Sequence, residues 1–265
     1  MIKVSVIMAI NKFDDFTKVA IDSILNQSYS EFEFLIVVNN CTDDDIKLIN
    51  ACCNDNRIIV FRNSIPQLPY SLNFALDHAK GEYIARMDAD DISAPERLMK
   101  QVLFLDSNPN ISVVGCSYSV IDDKGNIKAD VKATLTPEKI YAKLPLGTQL
   151  CHPSVMMRKD DIFSVGCYCY GFFAEDYELW LRLIRSKPYC LDNLPDNLFK
   201  YRVHSLQSTN ESNVIRNRSY NYSLLLMNYL QTKRLKFLLG FLWLNPRFVR
   251  IKDKLIKKIR DKRLV

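Results

Sequence analysis

Two segments, Val4-Ser5-Val6-Ile7-Met8 and Phe34-Leu35-Ile36-Val37-Val38, constrain this chain most, because both are near-continuous apolar runs. A strand covered on one face alternates apolar with polar residues, whereas a run of this kind needs cover on both faces. Helical spacing follows the first run at Phe16, Val19, Ala20 and Ile24, which predicts a helix from Phe16 to Leu25. Ile46 to Cys53 reads as a second helix, Ile58 to Phe61 as a third strand and Leu72 to Ala79 as a third helix. Gly81 is expected to cap that helix and launch a strand through Tyr83, Ile84 and Met87. Strands alternating with helices of this length imply an α/β chain with a mostly parallel sheet and helices on both faces.

The fourth strand runs without a spacer into Asp88, Asp90 and Asp91. These acids therefore lie at its carboxyl end, the edge where open α/β sheets bind ligands. Three carboxylates at one place repel each other unless a cation joins them, and hard oxygen ligands on a loop suit Mg²⁺ or Mn²⁺. An ion held by one or two carboxylates completes its shell with a substrate's phosphates, so the loop reads as a site for a metal and a diphosphate. The plainer reading is a solvated helix start, with Asp91 or Ser93 capping a helix that begins near Pro95. Capping accounts for one acid of the three.

Beyond Gln101 the pattern loosens. A strand is predicted at Ser112–Val120, a turn at Asp122-Asp123-Lys124-Gly125 and a short strand at Ser154–Met157. Glu175–Arg185 is an amphipathic helix with Leu179, Leu183 and Ile184 inward, and residues 212–262 form two or three more helices. The net charge of +6 over 265 residues is uneven. From Thr232 to Val265 there are twelve Lys or Arg and two Asp, which leaves the remainder at −4. A slightly acidic body with a basic tail points to one charged partner surface, and no base-stacking module accompanies the tail to suggest nucleic acid. The amino terminus lacks a signal-peptide pattern, and the longest apolar run, Phe237–Leu244, falls far short of the roughly 20 residues that span a bilayer. A cytosolic protein is expected, with its eight cysteines reduced and, lacking zinc-ligand spacing, used as small core residues.

Several motifs stand in a characteristic order. Asn11 follows the first strand and Asn39-Asn40-Cys41-Thr42-Asp43 the second; Lys80-Gly81-Glu82-Tyr83-Ile84 leads to Met87-Asp88-Ala89-Asp90-Asp91. Pro95-Glu96-Arg97 with Gln101, Cys151-His152-Pro153-Ser154 and Ala174-Glu175-Asp176-Tyr177-Glu178-Leu179 come later. Over roughly residues 3 to 208 this set resembles the family 2 glycosyltransferases, inverting enzymes that use nucleotide-activated sugars. The resemblance implies a GT-A fold, a Rossmann-like, mostly parallel sheet flanked by helices. It implies a catalytic domain at 1–208, with a nucleotide-sugar-binding half at 1–106 and an acceptor-binding half at 107–208. A helical, membrane-associating segment would follow at 209–265.

The resemblance also assigns roles. The family usually holds the base and ribose through an Asp after the second strand; here Asn39 and Asn40 stand in that place, with Asn11 facing the same crevice. An amide both donates and accepts, which still suits a uracil edge. Asp88 would serve the ribose or sugar side and the metal, Asp90 the metal, and His204 of Tyr201-Arg202-Val203-His204 would reach the metal or diphosphate. Arg86 shapes the donor pocket or forms a surface ion pair. Asp176 would be the base that deprotonates the acceptor hydroxyl, with Glu175 contacting acceptor hydroxyls; the plainer reading is a pair of acids favourable to a helix dipole. His152 lines the acceptor side or packs, and His78 sits on an ordinary helix.

The function so implied is transfer of a sugar from a UDP-sugar, with Mn²⁺ or Mg²⁺, to a lipid-linked saccharide acceptor in O-antigen or capsule assembly. The tail fits that picture. Leu235, Phe237, Leu238, Phe241 and Trp243, then Phe248, Ile251, Leu255 and Ile259, are interleaved with Arg250, Lys254, Lys257, Lys258 and Arg260. Such a segment suits the anionic inner face of the cell membrane, while the alternative is a helix pair docked on the catalytic body. Two rivals remain open. A nucleotidyltransferase usually carries a Gly-rich loop after its first strand, and Ala9-Ile10-Asn11-Lys12-Phe13 has no glycine. A degenerate sugar-nucleotide or membrane binder fits poorly with intact Asp88, Asp90 and Asp176.

Overall fold

The structure, a computed structural model, describes residues 2–52, 55–169, 174–204 and 214–243. The first half alternates as expected: β1 (Val4–Ile10), α1 (Asp15–Leu25), β2 (Phe32–Asn39), α2 (Asp43–Cys52), β3 (Ile58–Asn63), α3 (Leu68–His78) and β4 (Tyr83–Met87). Then come β5 (Ile92–Ser93), α4 (Arg97–Ser107), β6 (Val113–Ile121), β7 (Ile127–Val131), α5 (Pro137–Lys143), β8 (Met156–Arg158) and α6 (Lys159–Ser164). The described chain closes with α7 (Glu175–Ser186), β9 (Leu191–Arg202), α8 (Val214–Thr232) and α9 (Leu235–Trp243). All nine strands join one sheet in the order β3-β2-β1-β4-β8-β6-β9-β5, with β7 paired to β6. Pairing is parallel from β3 to β4 and mixed beyond, where β8 runs antiparallel to both β4 and β6.

Strand parity divides the core into two layers. Ile7, Leu35, Val37 and Ile84 face α3, α7, α8 and α9, while Val6, Met8, Phe34, Ile36, Ala85 and Met87 face α1, α2 and α4. The near-continuous apolar runs are therefore buried on both faces, which is why they carry so little polarity.

Three local expectations change. Gly81 is not a helix cap: α3 ends at His78 and Ala79 is the extended cap residue. A Cβ on Gly81 would lie 2.5 Å from Ser5 N and 2.7 Å from Val4 C, so the glycine is needed for close approach to β1. Neither Asp91 nor Ser93 caps α4, which starts at Arg97. Its first-turn Leu98 N–H donates instead to Gln27 Oε1 at 3.0 Å, and the Gln27 amide donates to Ser93 Oγ and Ala94 O. Finally, β9 had no sequence signature. It holds Pro195, and its pairing with β6 is irregular there, with Leu194 opposite Cys116 and Asn197 opposite Ser117. A proline at a bulge is tolerated, but it hides the strand from any periodicity reading.

The Gly81→Ala variant is expected to lose about 1–3 kcal/mol of stability, because the obstructing atoms are backbone and cannot swing away. Urea unfolding of the two proteins measures this, and an unchanged midpoint would show that β1 and the β4 approach can separate.

Candidate active site

The parallel register brings the carboxyl ends of β1 to β4 to one edge: Met8 pairs with Met87, Ile10 with Val38 and Asn39 with Asn63. Asp88 leaves β4 at that edge. Carboxylate oxygens of Asp88, Asp90 and Asp91 all lie within 4.8 Å of one another. Asp91 is fully buried, and its Oδ1 accepts from the Arg202 N–H at 2.8 Å while Oδ2 has no partner among the described residues. Burial pushes the Asp91 carboxyl well above its usual range, and the charges of Asp88 and Asp90 add to that. Asp90 is raised too, by burial and then by Asp88, against the opposing pull of His204, whose Nε2 is 3.0 Å from Asp90 Oδ2. Converging carboxylates that resist ionisation, one with an orphaned oxygen, make a donor set that suits a hard divalent cation.

Arg86 lies beneath this loop and is fully buried, which excludes a surface ion pair. Its guanidinium meets Asp88 Oδ1 at 2.5 Å and also donates to the Met87 carbonyl. In β4 it shares parity with Ile84, so it projects toward the layer that contains α7. Its charge therefore acts on both acids at the start of α7. Asp176 is partly buried; burial, then the neighbouring Glu175, push its carboxyl up to about 7. Burial raises Glu175 as well. A carboxylate held near neutrality is matched to proton abstraction at physiological pH. Glu178, by contrast, is neutralised by Arg182 through bonds of 2.6 and 2.7 Å.

The asparagines lie apart from these contacts. The Asn39 amide donates to Ser71 Oγ on α3 at 2.7 Å, and Asn63 reaches the same hydroxyl at 3.4 Å. Asn40 is exposed in a left-handed turn with φ 55°, a conformation asparagine tolerates, and Asn11 is exposed just past β1.

Two arginines with no assigned role in the sequence hold the loop in place. Arg97 is fully buried and donates from one nitrogen to Arg86 O and Pro153 O, both at 3.1 Å. Burial lowers it to about 10. It thereby ties the exit of β4 to the short turn His152–Ser154. Arg202 donates to Asp90 O at 2.7 Å and to the carbonyls of Asp122 and Asp123, and stacks over Phe16 at 4.4 Å. Its hydrogen-bond partners lie about 80 to 110 residues away in sequence and Phe16 farther still, so no local pattern announces them.

Residues 5–166 match the family described as Glycosyl transferase family 2. The chain is 38% identical over 224 residues to the O-antigen biosynthesis glycosyltransferase WbnJ of Escherichia coli, covering 83% of this chain and 87% of that one. Among solved structures, S. aureus TarS 1–349 in complex with UDP-GlcNAc superposes with a TM-score of 0.67 at 17% identity, over 86% of this chain and 66% of that one. The mannosyltransferase PcManGT from Pyrobaculum calidifontis, in complex with GDP-Man and Mn²⁺, gives 0.66 at 16% identity, over 91% and 69%.

A raised carboxyl pKa means that the folded state binds the proton more tightly than the unfolded one. The stability this contributes is present below the unfolded value of 3.8 and is lost as pH rises through about 7. Asp176→Asn is therefore expected to raise the urea midpoint at about pH 8, with the gain fading toward about pH 4. A difference that does not vary with pH would contradict the buried, raised carboxyl.

Proposed function

The chain belongs to glycosyl transferase family 2 and has the GT-A fold of its structural neighbours, and on that premise we propose that it is an inverting, metal-dependent glycosyltransferase acting on a UDP-sugar. The observation that carries this reading is the meeting of two acidic groups around one buried arginine. Asp88 pairs with Arg86 directly, Asp90 and Asp91 cluster with Asp88, and Glu175 and Asp176 feel the Arg86 charge from the start of α7. Asp88 and Asp90, with His204 beside Asp90, would hold Mg²⁺ or Mn²⁺. When bound, such a cation supplies positive charge against the diphosphate of the departing nucleotide. Asp176 takes the proton from the acceptor hydroxyl as that oxygen attacks the anomeric carbon on the face opposite the leaving group. Glu175 orients acceptor hydroxyls. Arg86 holds Asp88 in place and balances the charge on both sides. Asn11, Asn39 and Asn40 mark the nucleotide end of the crevice.

The UDP reading draws support from the complex of TarS with UDP-GlcNAc, while PcManGT with GDP-Man makes the base a matter for direct test. The O-antigen relative supports a saccharide acceptor in surface polysaccharide assembly, and we take the acceptor to be lipid-linked. Residues 1–208 form the catalytic domain in this reading, with donor and acceptor halves meeting near residue 106. Family membership disfavours the nucleotidyltransferase rival, and turnover separates the enzyme from a degenerate binder.

No helix among the described residues is long and apolar enough to cross a membrane. Part of the tail docks on the body: Phe237 is fully buried and Gly240 is so close to Pro145 that a Cβ would lie 2.3 Å from its carbonyl oxygen. The opposite side of α8 and α9 exposes Leu226, Leu230, Leu235 and Leu239. Phe248, Ile251, Leu255 and Ile259 and the basic residues between them lie outside the described residues. We assign membrane attachment at the inner face to this segment on its charge and apolar spacing.

Three outcomes test the reading. Calorimetry should give metal-dependent binding of UDP in preference to CDP, GDP and dTDP; preference for another base would change the donor. Asp90→Ala should abolish the metal-dependent part of UDP binding in a folded protein, and unchanged affinity would remove the metal site. Truncation after Trp243, which spares docked α9, should release the protein from anionic liposomes; continued binding would move the membrane contact elsewhere.

A further inference from the structure

A group of buried polar side chains behind Glu175 has no part in the chemistry above. His152 is 9% exposed and packs edge-on against Trp180, with ring centroids 6.1 Å apart. Its Nε2 lies 2.8 Å from the Tyr168 hydroxyl, and its Nδ1 lies 3.7 Å from Glu175 Oε1. Tyr168 is itself only 4% exposed. Asn73 of α3 clamps its backbone from both sides: the Tyr168 N–H donates to Asn73 Oδ1 at 3.0 Å, and Asn73 Nδ2 donates to Tyr168 O at 2.9 Å. α7 begins without a side-chain cap, after Ala174 in a left-handed conformation, and on its own element the Glu175 carboxylate meets only its own backbone N–H.

The partners determine the proton positions. Burial and the charge of Arg86 keep the His152 imidazole neutral, leaving it one donor and one acceptor nitrogen. A lone pair on Nδ1 would be repelled by an ionised Glu175 carboxylate, which favours the proton on Nδ1. Nε2 is then the acceptor, and the Tyr168 hydroxyl donates to it. At 3.7 Å the Nδ1–H attracts the carboxylate through its dipole, just beyond hydrogen-bond reach.

We propose that Tyr168 and His152 are positioning residues, a buried relay clamped by Asn73 that orients the Glu175 carboxylate beside Asp176 electrostatically, without a direct hydrogen bond. The relay rests on the reading of Glu175 and Asp176 as the acceptor-side acids, but its geometry is testable without substrate. The same helix, α3, carries Ser71, which receives the Asn39 amide, and Asn73, which clamps Tyr168.

Nuclear magnetic resonance on full-length protein with ¹⁵N-labelled histidine and ¹³C-labelled glutamate carboxyls tests the relay. Only three histidines are present, and His152→Asn identifies the signal. The expected spectrum has His152 in the Nδ1–H form and unchanged from about pH 5.5 to 8.5, outside the ordinary imidazole titration. Tyr168→Phe should abolish that signature and shift the Glu175 carboxyl resonance, assigned by Glu175→Gln. His152→Leu should shift it too, while His152→Asn, whose amide nitrogen replaces Nδ1 as a donor, should return it toward the wild-type position. A His152 that titrates freely, that carries its proton on Nε2, or whose partners leave Glu175 unmoved would overturn the relay. Because none of these signals requires a donor, a failure to bind UDP would count against the proposed function and not against the relay.

Discussion

A guanidinium with no exposed surface sits under the carboxyl edge of the parallel strands, and much of the acidic cluster's arrangement follows from keeping it there. Arg86 is removed from water at a cost of several kcal/mol unless neighbouring groups compensate. Asp88 provides the direct partner, Met87 a carbonyl, and Glu175 and Asp176 more distant negative charge. The same contacts bring the acidic loop after β4 and the start of α7 to a common centre. Losing Arg86 would leave Asp88 without its partner and would also raise the cost of ionising both acids on α7.

The acidic loop is held from behind by elements that come late in the chain. Asp91 turns inward and receives the backbone N–H of Arg202, and the Arg202 side chain donates to the Asp90 carbonyl. His204 follows directly and meets the Asp90 carboxylate. The end of β9 thus fixes the loop, and His204 just beyond it supplies the third side chain near the proposed cation. Two of the three adjacent carboxylates carry raised pKa values, so the loop is under electrostatic strain that a bound cation would relieve.

The first half of the fold was legible because its strands are parallel and doubly covered, which writes burial directly into apolar runs such as Phe34 to Val38. The second half was harder to read. The strand expected at Ser112–Val120 is β6, but its partner β9 is irregularly paired and interrupted by Pro195, so that pattern follows no single period. The acids at 88, 90, 91, 175 and 176 drew notice by their place in an ordered set of motifs and not by clustering alone, since Asp43, Asp44 and Asp45 open α2 in the same way. Arg86 could not be settled from the chain: one residue on a strand has two faces to choose from, and only the packing of α7 decides which is covered.

Order along the chain therefore determined the α/β alternation, the edge at which the acids emerge and the family to which they belong. These depend on local burial patterns and on spacing, and both are written residue by residue. Tertiary structure alone decided that Arg86 is buried, that Arg97 and Arg202 brace the loop, that Gly81 serves β1 rather than a helix end, and that α9 docks by Phe237 and Gly240. Each of these rests on a contact between residues far apart in sequence, where the energy depends on what surrounds a group and not on its neighbours in the chain.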